Sequence, residues 1–248
     1  MSNPRIIGVL AVRDGMLVKS YRYSSWRPAG DVFSALRNLD HWGADEIVVL
    51  DISRRGTMDP SILSKIQAAR VSTPIAYGGG IRSSEDLKRL MEIGCDRFIL
   101  ETLAFERPSE VDALANVVGA QALILSLPIF VNNNQPLIWR PHTSIPLDEA
   151  LPALLGLPVS EFMVTSVEHE GCSGQFALSL IDSCSALPKQ SVIWFGGLDI
   201  QKALKCLCSH LTTAVALGNA LHETELALPR LRKAALQSGA PIRTFRLC

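Results

Sequence analysis

Eight apolar runs recur along the chain: "IIGVLAV", "EIVVLDI", "TPIAY", "RFILE", "ALILSL", "EFMVTS", "SVIWF" and "TAVAL". They are short and continuous, without the alternation that a water-facing strand would show, so they read as strands of a parallel sheet buried on both faces. The stretches between them carry helical patterns. "DVFSALRNLDHWG" closes at Gly43, and "SSEDLKRLMEIG" opens on a serine cap with an acidic first turn and closes at Gly94. Strands alternating with helices predict βα units, and eight of them predict an α/β protein built as a (βα)8 TIM barrel. One insert interrupts the alternation, "VNNNQPLIWRPH" after the fifth strand, which reads as a hairpin or a long loop.

Composition narrows the reading. No linker rich in Pro, Gly or Ser divides the 248 residues, so residues 1–248 read as one barrel domain. The 24 basic and 24 acidic side chains leave no general field for nucleic acid or an anionic membrane, and any anion site must be local. No apolar run nears the roughly 18 residues of a membrane span. The polar start "MSNPR" lacks the basic-then-apolar order of a secretory signal, which points to the cytoplasm. Cys95, Cys172, Cys184, Cys206, Cys208 and Cys248 are scattered, and Cys206 and Cys208 have no second pair at zinc-site spacing, so reduced thiols are expected. His169 lies between Glu168 and Glu170, but neighbours on an extended chain point apart. No metal or cofactor is expected.

The chain also repeats itself at a spacing of about 116 residues. "DEIVVLDISRRG" matches "SEFMVTSVEHEG", "AYGGGIRSSEDLKRL" matches "IWFGGLDIQKALKCL", and "ILETLAFE" matches "VALGNALHE". Two half-barrels follow, each with one phosphate cradle: Gly79, Gly80 and Thr102 in the first, Gly196, Gly197 and Asn219 in the second. Glycine admits an anion to the backbone, and the N–H groups beyond it bind the charge. A bare Gly-Gly equally serves a tight turn; the pair in register favours a ligand with two phosphates.

These segments, with "RIIGVLAVRDGMLVKS" and the loop ending in "AGD", resemble the cyclase subunits of imidazole glycerol phosphate synthases nearly end to end. The resemblance implies a twofold-repeated barrel with a glutaminase docked on its N-terminal face. Ammonia then travels through the barrel to an upper site holding a ribonucleotide with two phosphates. The family's acid and base fall on Ala11 and Pro128, neither of which can carry a proton. General acid–base catalysis is worth about 10²- to 10⁴-fold, so ordinary cyclase activity is not expected. Asp14, in the "RDG" turn, reads as a turn residue. Glu101 stands where the family has an asparagine and Phe195 where it has a small hydroxyl residue, so one cradle gains a repelling charge and the other a bulky ring. Gly171, Lys19 and Asp51 match upper-face positions, and the N–H of Gly218 joins the degenerate second cradle. By contrast, Arg5, Glu46, Arg97 and Glu161 match the charged gate at the barrel floor, with arginine replacing a lysine at 97, and Asp96 matches a position facing the glutaminase. Tyr23 and Trp26 lie in the first upper loop, which in the family is a mobile cover; there they serve as a lid or as packing for a partner.

Three readings follow. The first is an ammonia-conducting barrel, without cyclase chemistry, that joins a glutaminase to an accepting enzyme, for example in surface-polysaccharide amidino-sugar synthesis. The second is a cyclase or related barrel enzyme with its acid and base relocated to Asp51, Glu101 or Glu168. The third is a binding or scaffold subunit.

Overall fold

The computed structural model describes residues 3–53 and 55–243; Cys248 lies outside them. Twelve strands form: β1 (Arg5–Arg13), β2 (Met16–Tyr21), β3 (Ser25–Gly30), β4 (Glu46–Asp51), β5 (Ile75–Gly78), β6 (Arg97–Leu100), β7 (Leu123–Asn132), β8 (Gln135–Arg140), β9 (Thr143–Pro146), β10 (Glu161–Ser166), β11 (Val192–Phe195) and β12 (Thr212–Leu217). Eight of these are the predicted runs. They pair in parallel in the order β10-β11-β12-β1-β4-β5-β6-β7, and β7 pairs back to β10, so the barrel is closed. Closure leaves no strand edge exposed in the central sheet.

The eight strands divide their side chains between two cores. Ile7, Val9, Val48, Ala76, Ile99, Ile124, Met163, Ile193, Phe195, Ala214 and Ala216 fill the lumen, while Ile6, Leu10, Val12, Ile47 and Val49 pack outward under the helices. Each fully buried Ile or Leu contributes about 1.5–3 kcal/mol. The helices are fixed where the residue pattern places them. Asp31 caps helix Val32–His41 by accepting from the Ser34 amide, and Ser83 with Asp86 forms a reciprocal capping box at helix Ser84–Glu92.

The twofold repeat is built into the backbone. Each half starts with a barrel strand that runs into an antiparallel pair, β1 into β2–β3 and β7 into β8–β9. The insert after the fifth strand is thus a hairpin. Its turn residues Asn133 and Asn134 have φ of 48° and 63°, the left-handed pair that a two-residue hairpin turn requires. A Cβ on Gly79 would lie 2.3 Å from the Asp51 carbonyl oxygen, and one on Gly196 would lie 2.6 Å from that of Ser166. Glycine is required at both because the preceding strand's loop leans its backbone on the turn.

Candidate functional site: the two ends of the barrel

At the floor, the first residues of β1, β4, β6 and β10 point inward and meet. Arg5 Nη2 lies 2.7 Å from Glu161 Oε2, and Arg5 Nε lies 3.2 Å from Glu46 Oε2. Arg97 closes the circuit at 3.3 Å to Glu46 Oε1 and 2.6 Å to Glu161 Oε2. The four groups alternate in charge around the axis, and Glu46 and Glu161 are 2% and 6% exposed. Ser160 Oγ accepts from Arg97 Nη2 at 2.9 Å and itself lies 3.1 and 3.0 Å from the Gln121 and Leu123 carbonyl oxygens, within reach of donating its proton to either. This serine was not singled out from the sequence, although the repeat pairs it with Asp45. Asp45 in turn accepts from the Ile6 amide and pairs with Arg232. Below the ring a basin of about 360 Å³ opens between Asp45, Pro74, Gln121, Ser160 and Arg243. Asp96 is exposed on this face, where its carboxylate accepts from the Ile75 amide at the start of β5.

Burial acts differently on the two acids. It is the largest influence on Glu46 and holds that carboxyl above the ordinary range despite both arginines. Burial is also the largest influence on Glu161, but Arg5 and Arg97 together with hydrogen bonds from Arg5 and Thr213 outweigh it and hold that carboxyl below the range. For Arg5, burial opposes the charge, yet Glu46 and Glu161 overcome it and raise its pKa.

At the upper end, Ala11 shares the inward parity of Ile7 and Val9, and Pro128 lies on β7 two residues beyond Ser126. Neither supplies a proton-transfer group. The three candidate substitutes are not brought together. Asp51 follows the outward parity of Val49; its Oδ1 accepts from the Ser53 amide, and its carboxylate adds to burial in raising the pKa of the buried Tyr77 hydroxyl. It therefore stiffens a loop outside the lumen. Glu168 is exposed and accepts from the Val131 amide at 3.4 Å. Glu101 sits at the end of β6 and accepts from Ser126 Oγ at 2.9 Å, which turns its carboxylate toward β7.

The cradles differ between halves. In the first, Gly79 packs on Asp51 and Gly80 on the Thr57–Met58 backbone, and Thr102 is exposed at the start of the short helix Thr102–Glu106. In the second, the Phe195 ring lies 3.0 Å from where a Cβ on Gly218 would stand, so the phenyl fills the cradle's inner side. The remaining space among Glu170, Gly171, Gly197, Gly218, Asn219 and His222 is about 10 Å³, room for one water. Lys19 pairs with Glu223 at 3.7 Å above it. His169 Nδ1 meets Ser166 Oγ at 2.9 Å. Glu168 turns to β7 and Glu170 to the β2–β3 hairpin, so the acidic pair around His169 diverges. Trp26, on β3, receives the Arg13 guanidinium 3.5 Å above its ring.

Sequence comparison agrees with this architecture. The family profile for histidine biosynthesis proteins matches residues 5–227. An imidazole glycerol phosphate synthase subunit HisF from an Exiguobacterium species is 26% identical over 250 residues, covering 98% of this chain and 97% of its own. A provisionally named imidazole glycerol phosphate synthase subunit HisF of Leptospira interrogans is 27% identical over 224 residues, 85% of this chain and 86% of its own. By the span of the family match and the closed barrel beneath it, the chain belongs to the histidine biosynthesis protein family, as a HisF-like member.

Proposed function

We propose that this barrel is the ammonia-conducting subunit of a glutamine amidotransferase complex, with a glutaminase on its N-terminal face and an accepting enzyme at its upper end. The observation that carries the reading is the contrast between the two ends. Two buried acids and two partly buried arginines are kept mutually paired at the floor, whereas Ala11 and Pro128 occupy the upper positions where proton transfer would need acids. A buried ion-pair ring is costly to maintain for stability alone. Above it, β12 turns Ala214, Ala216 and then Gly218 toward the lumen, and a lane of small side chains offers neutral NH₃ a path that excludes ammonium. Passage through an apolar lumen also keeps ammonia from being protonated in bulk water. Small-residue packing and a closed ring would serve a conduit that holds no substrate of its own.

The basin gives the test. Gln121 lines it and is exposed, so Gln121→Trp would obstruct a docked glutaminase without touching the ring. With a glutaminase subunit of this synthase family from the same organism, calorimetry should show binding to the wild type and at least about tenfold weaker binding to the variant, about 1.4 kcal/mol. Equal affinity in a folded variant contradicts docking at this face.

One observation favours a second reading. Glu101 faces β7 at the upper end of the lumen, where a relocated acid could stand. Turnover of the synthase's ribonucleotide with ammonium salt, abolished by Glu101→Gln, would support a cyclase. The conduit account predicts no turnover in either protein.

A further inference from the structure

The β2–β3 hairpin lies across the second cradle, and its tip is strained. Arg22 and Tyr23, neither of them glycine or asparagine, both have φ of 52°. Two consecutive left-handed residues with bulky side chains persist only where their surroundings hold them. Here the holder is Glu170, 3% exposed. Its carboxylate accepts from Ser20 Oγ at 3.0 Å and from the Tyr23 amide at 3.1 Å, and its main-chain carbonyl accepts from the Arg22 amide at 3.0 Å. Asn219, a cradle residue by the repeat, spends its side-chain amide on the carbonyl oxygens of Ser20 at 2.8 Å and Gly171 at 3.0 Å. The Ser20 carbonyl oxygen sits so close over Gly171 that a Cβ there would be 2.0 Å away.

We propose that the hairpin is a strap latched by Glu170 across the second cradle, so that the chain's own backbone occupies the place an anion would take. At the first cradle the atoms nearest a Cβ on Gly79 or Gly80 belong to Asp51, Thr57 and Met58 rather than to a hairpin, which makes the two halves of the scaffold unequal. The latch is independent of ammonia conduction and stands or falls by itself. It is local: two acceptor atoms of one residue hold three donors of a single hairpin, and the barrel strands do not depend on it.

Hydrogen exchange and limited trypsin digestion test it, since trypsin cuts after the exposed Arg22, while Arg27 precedes a proline and resists it. In Glu170→Ala, amides 20–26 should exchange at least about tenfold faster and cleavage after Arg22 should accelerate alike, while the barrel strands keep wild-type protection. Wild-type rates in the hairpin of the folded variant would overturn the latch, and so would a uniform rise across all strands. Ser20→Ala deletes only one hydroxyl and carries the test if Glu170→Ala does not fold. It should raise exchange at the same amides by a smaller factor, and no rise there would count against the proposal.

Discussion

Glu46 and Glu161 occupy corresponding places in the two halves yet titrate in opposite directions, because contact distance decides what burial alone would not. Glu161 has an arginine nitrogen at 2.7 Å and another at 2.6 Å, whereas the approaches to Glu46 are 3.2 and 3.3 Å. The sign of the stability effect follows. Glu161, held below its ordinary value of 4.5, contributes stability that is complete above that value and lost as pH falls through the depressed one. Glu46, held above 4.5, carries a cost at neutral pH that disappears as pH falls through its raised value. Urea denaturation from about pH 7 to about pH 4 should therefore show Glu161→Gln destabilised at neutral pH, by roughly 3–5 kcal/mol for a broken buried pair, and less sensitive to further acidification. Glu46→Gln should remove the opposite slope, which lies above 4.5. Identical pH profiles for the two variants would mean that the ring does not discriminate between its acids. These four residues were reached through the family resemblance, which matched charges at the starts of four apolar runs. Ser160 and Glu170 were not: a serine before a strand and a glutamate in a polar loop look alike whether they anchor a neighbour or face water.

Among the elements, the eight barrel strands were legible because burial on both faces leaves an uninterrupted apolar signal. The two hairpins differ instructively. Asn133–Asn134 announces its turn, since asparagine tolerates the left-handed region. The β2–β3 turn at Arg22–Tyr23 carries no such mark, because its conformation is imposed from outside by Glu170, which accepts from Ser20 Oγ and the Tyr23 amide. Local preference there yields to a tertiary contact nearly 150 residues away in the chain. Parity explains Asp51 in the same way. The sequence places an acid at a strand end, and only the register shows that Leu50 faces the lumen while Asp51 faces outward. The hydrogen-exchange experiment on the hairpin belongs to this scale, as it asks whether one element can open while its scaffold stays shut.

For the whole molecule, a twofold backbone carries unequal ends. Both halves keep the glycine turns, the strand-to-hairpin entry and one floor acid each, so the repeat survives in geometry. At the upper end the symmetry is broken by Phe195 against Gly218, by the latched hairpin and by Glu101 turned to Ser126. No helix among the described residues is long and apolar enough to cross a membrane. The central claim is that the intact floor admits ammonia released by a docked glutaminase. The most direct measurement compares product made from glutamine with product made from added ammonium salt, using the barrel, its glutaminase and the accepting enzyme, for wild type and Arg5→Ala. Removing Arg5 leaves Glu46 and Glu161 short of a countercharge and distorts the floor, so folding and glutaminase binding are measured on the same samples. With the variant folded and bound, the account predicts that glutamine-driven synthesis falls at least about tenfold, roughly 1.4 kcal/mol in barrier height, while ammonium-driven synthesis is unchanged. A parallel fall in both, or no change in either, contradicts conduction through the barrel.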